Sequence, residues 1–273
     1  MPELPEAETI ARQLRGELAG AVLGRTILTR DDIVHDTPKS LGRLIRGRRV
    51  ETVSRRGKRV MIDLDPPLRL VIRLGMTGSL TVVDRTAAVE KHTHLRTAIR
   101  GSDRELRYRD PRRFGGIWVH APRKGEPPGE LSDLGLEPLE ATWEQFRETM
   151  RRRRQVKALL MDQRVVAGLG NIYCDESLHA AGIHPLTAAN AIGNGEAKRL
   201  YDCIRRILLR AIRRNGSTLM DYRDADGREG SFQKLHRVYQ REGRPCKRCG
   251  TAIRRIVAAG RSTFFCPKCQ QIC

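Results

Sequence analysis

The sequence predicts an α+β protein: an N-terminal helix joined to a β-sandwich domain, then a C-terminal helical domain carrying a small cysteine-bearing hairpin. Three observations support this. Apolar residues recur every four positions near the start, short strand-like segments fill residues 22–120, and helical periodicity takes over after residue 141. At 273 residues the chain is long enough for one large domain or two ordinary ones.

Residues 5–19 read as the first helix. Pro5 suits a first-turn position, Ile10, Leu14 and Leu18 share a face with Ala7 and Ala11, and Gly20 is a stop. The segments TILTR, RRVETVS, KRVMIDLD, RLVIRL, GSLTVV, HLRTAIR, ELRYRD and GIWVHA follow, separated by turns such as DPP and GSD; strands at this spacing predict a sandwich. The N-terminal domain is thus assigned to 1–120, and the Pro- and Gly-rich stretch 121–140 to a linker. The helical domain covers 141–232. In it Thr142 caps a helix that runs into an arginine run, QVKALLMDQ is a short helix, and NIYCDESLHAAGI is closed off by Gly182 and Pro185. Leu200, Ile204, Leu208 and Ile212 line one face of a longer helix. Residues 216–232 are glycine-rich and polar and read as a mobile loop, and 233–273 form a separate unit.

The net charge is +20, from 52 Lys and Arg against 32 Asp and Glu, which favours a polyanion or an anionic membrane surface as partner. No apolar run approaches the ~20 residues of a membrane span, and the acidic, polar start is unlike a secretory leader. A cytoplasmic location follows as the expectation, where thiols stay reduced and seven cysteines suggest metal ligation before disulfides.

Cys246, Cys249, Cys266 and Cys269 spell C-x2-C-x16-C-x2-C. Two such turns give one Zn²⁺ four thiolates and leave no open position, so the site is structural. RRIVAAGRSTFF, between the pairs, reads as two short strands around a turn, a zinc β-hairpin, with Arg261 at that turn. Cys273 is a rival ligand to Cys269, and Cys174 and Cys203 read as core thiols.

The opening MPELPEAET bears on chemistry. Removal of Met1 would leave Pro2 as a secondary amine able to attack an aldehyde-like carbon and form an iminium ion. An α-amino group has an ordinary pKa near ~8, and the positive end of the following helix favours its neutral form. Of the two nearby carboxylates, Glu3 and Glu6, at least one suits a general acid. The bland alternative is an acidic helix cap.

MPELPEAET resembles the opening of the formamidopyrimidine-DNA glycosylase family, and the resemblance continues in order through RRGK, LGMTGSL, KHTH, RYRDPRRFGG, LGLEPL, GLGNIYCDESLHAAGIHP, GSTLMDY and the cysteine hairpin. The resemblance implies an enzyme that excises oxidised purines from double-stranded DNA and cuts the strand at the abasic site, acting as a monomer, with a helix–two-turn–helix motif in its helical domain. It implies Pro2 as nucleophile at the sugar C1′, Glu3 as proton donor with Glu6 in support, Lys58 for β-elimination, and Arg261 for δ-elimination and phosphate contact. Removing a stacked base leaves a hole, which Met76, Arg112 and Phe114 would fill. His92, Arg152, Lys157 and Asn171 would contact DNA. The loop at 216–232 would cover the extruded base. The chain departs from the family pattern at Thr93, where an acid is usual, and at Arg109, where a smaller residue is common. Two rival readings stay open: an endonuclease VIII-like enzyme for oxidised pyrimidines, and a damage-binding relative without catalysis.

Overall fold

The computed structural model describes residues 2–35, 40–65, 67–120, 129–220 and 222–271. Met1, residues 121–128 of the expected linker, and Cys273 lie outside the described residues. The chain forms two compact units, one from Met1–Ser132 with Arg214–Ser231, the other from Asp133–Arg213 with Phe232–Cys273.

The first unit begins with helix α1 (Leu4–Leu18), whose Ile10, Ala11, Leu14 and Leu18 are wholly buried. Strands β1 (Leu23–Leu28), β2 (Val50–Arg56), β3 (Arg59–Leu64), β4 (Leu68–Arg73), β5 (Ser79–Asp84), β6 (Thr93–Ile99), β7 (Arg104–Arg109) and β8 (Gly116–His120) follow. Short helices α2 (Leu41–Ile45) and α3 (Gly129–Ser132) are additions that the sequence pattern did not predict. The strands make two antiparallel four-stranded sheets, β1-β6-β7-β5 and β2-β3-β4-β8, so the predicted sandwich is present. One apolar core joins them: Val53, Val60, Ile62 and Ile72 from one sheet, Leu80, Leu95 and Leu106 from the other, with α1 packed in. Tyr222 and Ala225 belong to this core, which is why the late segment 214–231 folds with the early residues.

The second unit holds α4 (Trp143–Met150), α5 (Val156–Met161), α6 (Asn171–Ala181) and α7 (Asn194–Ile212), then the hairpin β9 (Arg254–Ala258) and β10 (Arg261–Phe265). The Thr142 side chain caps α4 as predicted, accepting the Gln145 amide at 3.3 Å. The helix stops at Met150, before Arg151–Arg154; four adjacent cations repel one another and bury no apolar surface by continuing the helix. Helix α6 is buried on nearly all sides and ends at Gly182, whose φ of 73° is the left-handed cap that favours glycine.

Candidate functional site

In the first unit the start of α1 is sealed from solvent. Pro2 is buried, and Glu3 and Glu6 are 2 % and 1 % exposed. Glu6 faces two ways. Its Oε2 accepts the Glu3 amide at 2.8 Å, and its Oε1 accepts the Ser217 amide at 2.7 Å. The first bond satisfies an orphan donor at the helix start, and the second ties the late segment to it. Gly216 makes this approach possible: its φ is +76°, and a Cβ there would stand 2.5 Å from Glu6 Oε1. Further along the helix, Gln13 donates to Asp224 at 3.0 Å and accepts from the Ala225 amide at 2.9 Å. The loop expected to be mobile is thus fastened to α1 at two points, with Thr218 Oγ1 accepting the Gly230 amide at 2.9 Å inside it. Burial, then the neighbouring Glu6 and Asp224 carboxylates, push the Tyr222 phenol well above its usual range.

Lys58 is the second residue of the two-residue turn between β2 and β3, where Gly57 at φ 57° supplies the first, left-handed position. Met76 and Phe114 lie on two adjacent loops and are 40 % and 51 % exposed, large apolar side chains left in solvent. The Arg112 guanidinium stacks 4.5 Å from the Phe114 ring. His92 occupies a tight turn at φ 69°, exposed at the surface.

Asp110, which sequence reasoning missed, organises these loops. It has no solvent exposure. Oδ1 accepts the Thr77 hydroxyl at 2.7 Å and the Arg112 amide at 3.3 Å; Oδ2 accepts the Gly115 amide at 2.8 Å and the Tyr108 hydroxyl at 3.3 Å. Its carbonyl meets His94 Nε2 at 3.0 Å, and its amide donates to the His92 carbonyl at 3.1 Å. One aspartate therefore fixes the Met76 loop, the Arg112–Phe114 loop and the His92 turn together. The signal was the Asp before Pro111 in a strand-ending DPRRFGG, but its partners are distant in sequence. The departures at Thr93 and Arg109 face each other across β6 and β7. The Thr93 hydroxyl donates to the Glu90 carbonyl at 2.7 Å, and Arg109 donates to the Lys91 carbonyl at 3.1 Å, so both brace the turn that carries His92.

In the second unit the four cysteine sulfurs of 246, 249, 266 and 269 lie within 4.8 Å of one another. Cys249 Sγ is 3.4 Å from both Cys266 and Cys269, and Cys246 is 4.0 Å from Cys269. Four thiolates about 2.3 Å from one tetrahedral zinc ion would stand at edges of this size, so the donor set fits one Zn²⁺ with no place for water. Partial burial, and then the neighbouring Cys249 and Cys266 thiols, push Cys269 up to about 12, whereas hydrogen bonds to Thr251 bring Cys249 down to about 6. A metal ion resolves that contest by stabilising every thiolate. His179 of α6 places Nε2 3.4 Å from Cys246 Sγ, a support that the sequence did not reveal.

The expectation that Lys157 touches DNA is corrected by its burial. Its side chain has no exposure, and its ammonium meets Asn171 Oδ1, Asp175 Oδ1 and Thr263 Oγ1, each at 2.6 Å. No ammonium hydrogen is left for a phosphate. Asn171, at the first position of α6, also donates to the Ser262 carbonyl at 2.8 Å, next to Arg261 at the start of β10. Glu176 accepts the consecutive amides of Arg237, Val238 and Tyr239, each at 2.9 Å, a second buried carboxylate that sequence reasoning missed. Arg152 is exposed in the arginine run.

Family comparisons agree along the whole chain. Residues 1–117 match the family model of the formamidopyrimidine-DNA glycosylase N-terminal domain, 134–223 that of the formamidopyrimidine-DNA glycosylase H2TH domain, and 243–272 that of the zinc finger found in FPG and IleRS. A sandwich, a helical domain and a four-thiolate hairpin in this order define a DNA glycosylase of the base-repair class. The chain belongs to the formamidopyrimidine-DNA glycosylase family. It is 42% identical to the formamidopyrimidine-DNA glycosylase of Symbiobacterium thermophilum over 277 residues, covering 100% of this chain and 90% of that one. The crystal structure of the MutM (Fpg) protein from Thermus thermophilus superposes with a TM-score of 0.88 at 39% identity, covering 99% of both chains. A Lactococcus lactis Fpg variant in complex with Fapy-dG-containing DNA gives a TM-score of 0.92 at 35% identity, covering 99% of this chain and 100% of that one. Among the described residues no helix is long and apolar enough to cross a membrane.

Proposed function

We propose that this chain excises oxidised purines, 8-oxoguanine and formamidopyrimidines, from duplex DNA and then cleaves the strand as an abasic-site lyase. The observation that carries this reading is the sealed start of α1, where Pro2, Glu3 and Glu6 are buried together and Glu6 holds the Glu3 backbone at 2.8 Å. Once Met1 is removed, the Pro2 nitrogen lone pair attacks C1′, the base leaves with the electrons of its glycosidic bond, and the proton of the Pro2 N–H passes to the departing base. Glu3 gives a proton to the sugar ring oxygen, the ring opens, and an iminium ion remains. The electron-poor iminium acidifies C2′. A base takes the C2′ proton, the electrons of that bond form a C2′–C3′ double bond and the 3′ phosphate leaves. Loss of the C4′ proton to a base then expels the 5′ phosphate in the same way. Lys58 and Arg261 supply cations for the two leaving phosphates.

Met76, Arg112 and Phe114 fill the space left by the extruded base. Their exposure and the Arg112–Phe114 stack support an insertion role, since apolar side chains held in solvent need a partner. His92, Asn171 and Arg152 contact the DNA backbone, with Lys157 acting through Asn171. The segment at 216–232 covers the extruded base. The Lactococcus lactis relative solved with Fapy-dG-containing DNA supports an oxidised purine as substrate, and the same relative solved with oxidised-pyrimidine DNA makes the purine preference the point to test. Zinc, held by the four cysteines, supplies a fixed frame for the hairpin that carries Arg261.

Borohydride trapping tests the reading on duplexes carrying 8-oxoguanine, an oxidised pyrimidine or an abasic site. Trapping is expected with 8-oxoguanine and the abasic duplex, and it should vanish in protein that retains Met1. Full trapping by a preparation shown by intact mass to keep Met1 removes Pro2 as the nucleophile. Trapping with the pyrimidine lesion in preference to 8-oxoguanine assigns the other substrate class.

A further inference from the structure

A second concave surface lies in the first unit. Two adjoining hollows of about 560 and 570 Å³ share Arg25 and Arg46; Arg85 and Arg100 line the first, Arg43 the second. Asp31 and Asp103 are the acidic residues of the lining, so the trough carries a surplus of positive charge. Arg85 meets Asp103 at 3.7 Å. Arg25, Arg43, Arg46 and Arg100 are exposed and have no acidic partner among the described residues. Glycines shape the wall. Gly47, at φ +83°, lets the Arg100 guanidinium pack on its backbone where a Cβ would stand 3.3 Å from Nη2, and a Cβ at Gly24 would be 3.1 Å from the Ala98 carbonyl.

The trough is remote from the proposed chemistry. The Arg100 amide donates to the Val22 carbonyl at 2.9 Å, and the Leu23 amide to the Arg48 carbonyl at 2.8 Å, which sets both arginine-bearing segments beside the chain as it leaves α1. Pro2 and Glu3 stand at the other end of that 15-residue helix, about 22 Å along its axis.

We propose that this arginine trough binds the phosphodiester backbone of a second DNA segment while the lesion-bearing duplex occupies the catalytic surface. The cations are all arginines, whose planar forks match phosphate oxygens in pairs. Two continuous hollows with shared arginines suit a repeating anion better than a single small one. The lining offers small and aliphatic residues but no aromatic anchor of the kind a protein partner buries. Contacts of this sort position a backbone without reading bases, so the second segment is held whatever its sequence. The proposal is independent of the Pro2 chemistry: nicking reports on one and ternary binding on the other.

The test saturates the enzyme with a duplex carrying a tetrahydrofuran abasic analogue, then titrates a fluorescent undamaged duplex at several salt concentrations. Wild type should bind the second duplex, with hydrogen-exchange protection appearing over 24–28 and 98–103. The triple variant Arg25→Ala, Arg46→Ala, Arg100→Ala should weaken that second binding at least tenfold. Its salt slope should flatten by about 0.9 for each phosphate that an arginine no longer neutralises, and nicking of 8-oxoguanine duplex should stay unchanged. No second binding by wild type, or protection confined to other segments, overturns the proposal, and the hydrogen-exchange arm holds even if the triple variant misfolds. Stoichiometric capture of a poly-glutamate peptide without the second duplex also overturns it and assigns the trough to an acidic protein.

Discussion

The Lys157 ammonium lies 2.6 Å from Asp175 Oδ1, and neither side chain reaches solvent. The same lysine holds Asn171 and Thr263, and Asp175 accepts the Phe264 amide at 2.9 Å, so one buried ion pair fastens α6 to the zinc hairpin. Breaking such a pair from one side leaves a buried carboxyl that must hold a proton or carry an unpaired charge, and costs about 3–5 kcal/mol. Lys157→Met should therefore lower the denaturation midpoint strongly, and the double variant Lys157→Met, Asp175→Leu should recover much of the loss. A single variant as stable as wild type would show that the pair is not buried in solution.

The same pair gives a pH dependence. Burial raises the Asp175 carboxyl from 3.8 to about 7, against the Lys157 ammonium and the Phe264 amide, which draw it down. Without Lys157 the folded value climbs further above the unfolded one. A carboxyl raised on folding binds its proton more tightly in the native state, so stability falls as pH rises through that window. Above about 7 the wild type has already lost this proton, while Lys157→Met still has it to lose. The stability gap between them should widen from pH 7 to 8.5 and change little between 6 and 7. Parallel denaturant midpoints across that range would contradict the assignment.

Asp110 allows a sharper separation of binding from chemistry. Asp110→Ala would strand the buried Gly115 amide, at a cost of about 1–3 kcal/mol, and take the partner from the half-buried Thr77 hydroxyl. The Met76 and Phe114 loops should then lose their fixed spacing. Affinity for an abasic-analogue duplex should drop at least tenfold while zinc content stays stoichiometric. Unchanged affinity in a folded variant would mean that the loops hold themselves.

These residues also mark where the sequence was legible and where it was not. All eight strands of the sandwich were visible because each alternates or runs apolar between turn residues, a local pattern. The four-thiolate site was legible because each pair of ligands spans one short C-x-x-C turn. The helix through the arginine run was extended too far, since like charges carry no periodic apolar signal to set a boundary. Asp110, Glu176 and the burial of Lys157 were hidden because their partners are remote: Lys157 reaches Thr263, 106 positions away. A lysine in a basic protein looks like a DNA contact until its neighbours are known. Glu6 was visible as an acid, but its bond to Ser217, 211 positions on, was not.

That long-range bond makes Gly216 a test position. Gly216→Ala places a methyl against the Glu6 carboxylate and forces alanine into φ +76°, a strain of about 1–3 kcal/mol. Glu6 should yield, releasing both the Ser217 amide and the Glu3 amide. Excision of 8-oxoguanine and cleavage at a preformed abasic site should both fall, because the whole start of α1 is disturbed. Glu3→Gln differs: excision should drop roughly 10²–10⁴-fold, with cleavage at the abasic site largely spared, since no base has to leave. Equal loss on both substrates for Glu3→Gln would make Glu3 a structural residue.

Removal of the metal is the remaining prediction. The hairpin is two five-residue strands, too small to hold a core alone, and its own cluster consists of Val238, Cys246, Ile253, Phe264 and Cys266. Two of those five are ligands, so the metal and the local core are one object, and metal loss should unfold it. The sandwich has a separate core and should survive. Cys249→Ser is therefore expected to lose zinc, DNA affinity and strand cleavage while far-ultraviolet dichroism changes little, because few residues lie in the hairpin. Arg261→Ala should keep the zinc, lose much of the cleavage, and flatten the salt dependence of binding by about 0.9, the equivalent of one phosphate. Zinc content, a binding series across salt, and nicking measured on both variants decide it. Stoichiometric zinc with normal nicking in Cys249→Ser would reject the ligand set, and normal nicking in Arg261→Ala would leave the hairpin a purely structural part.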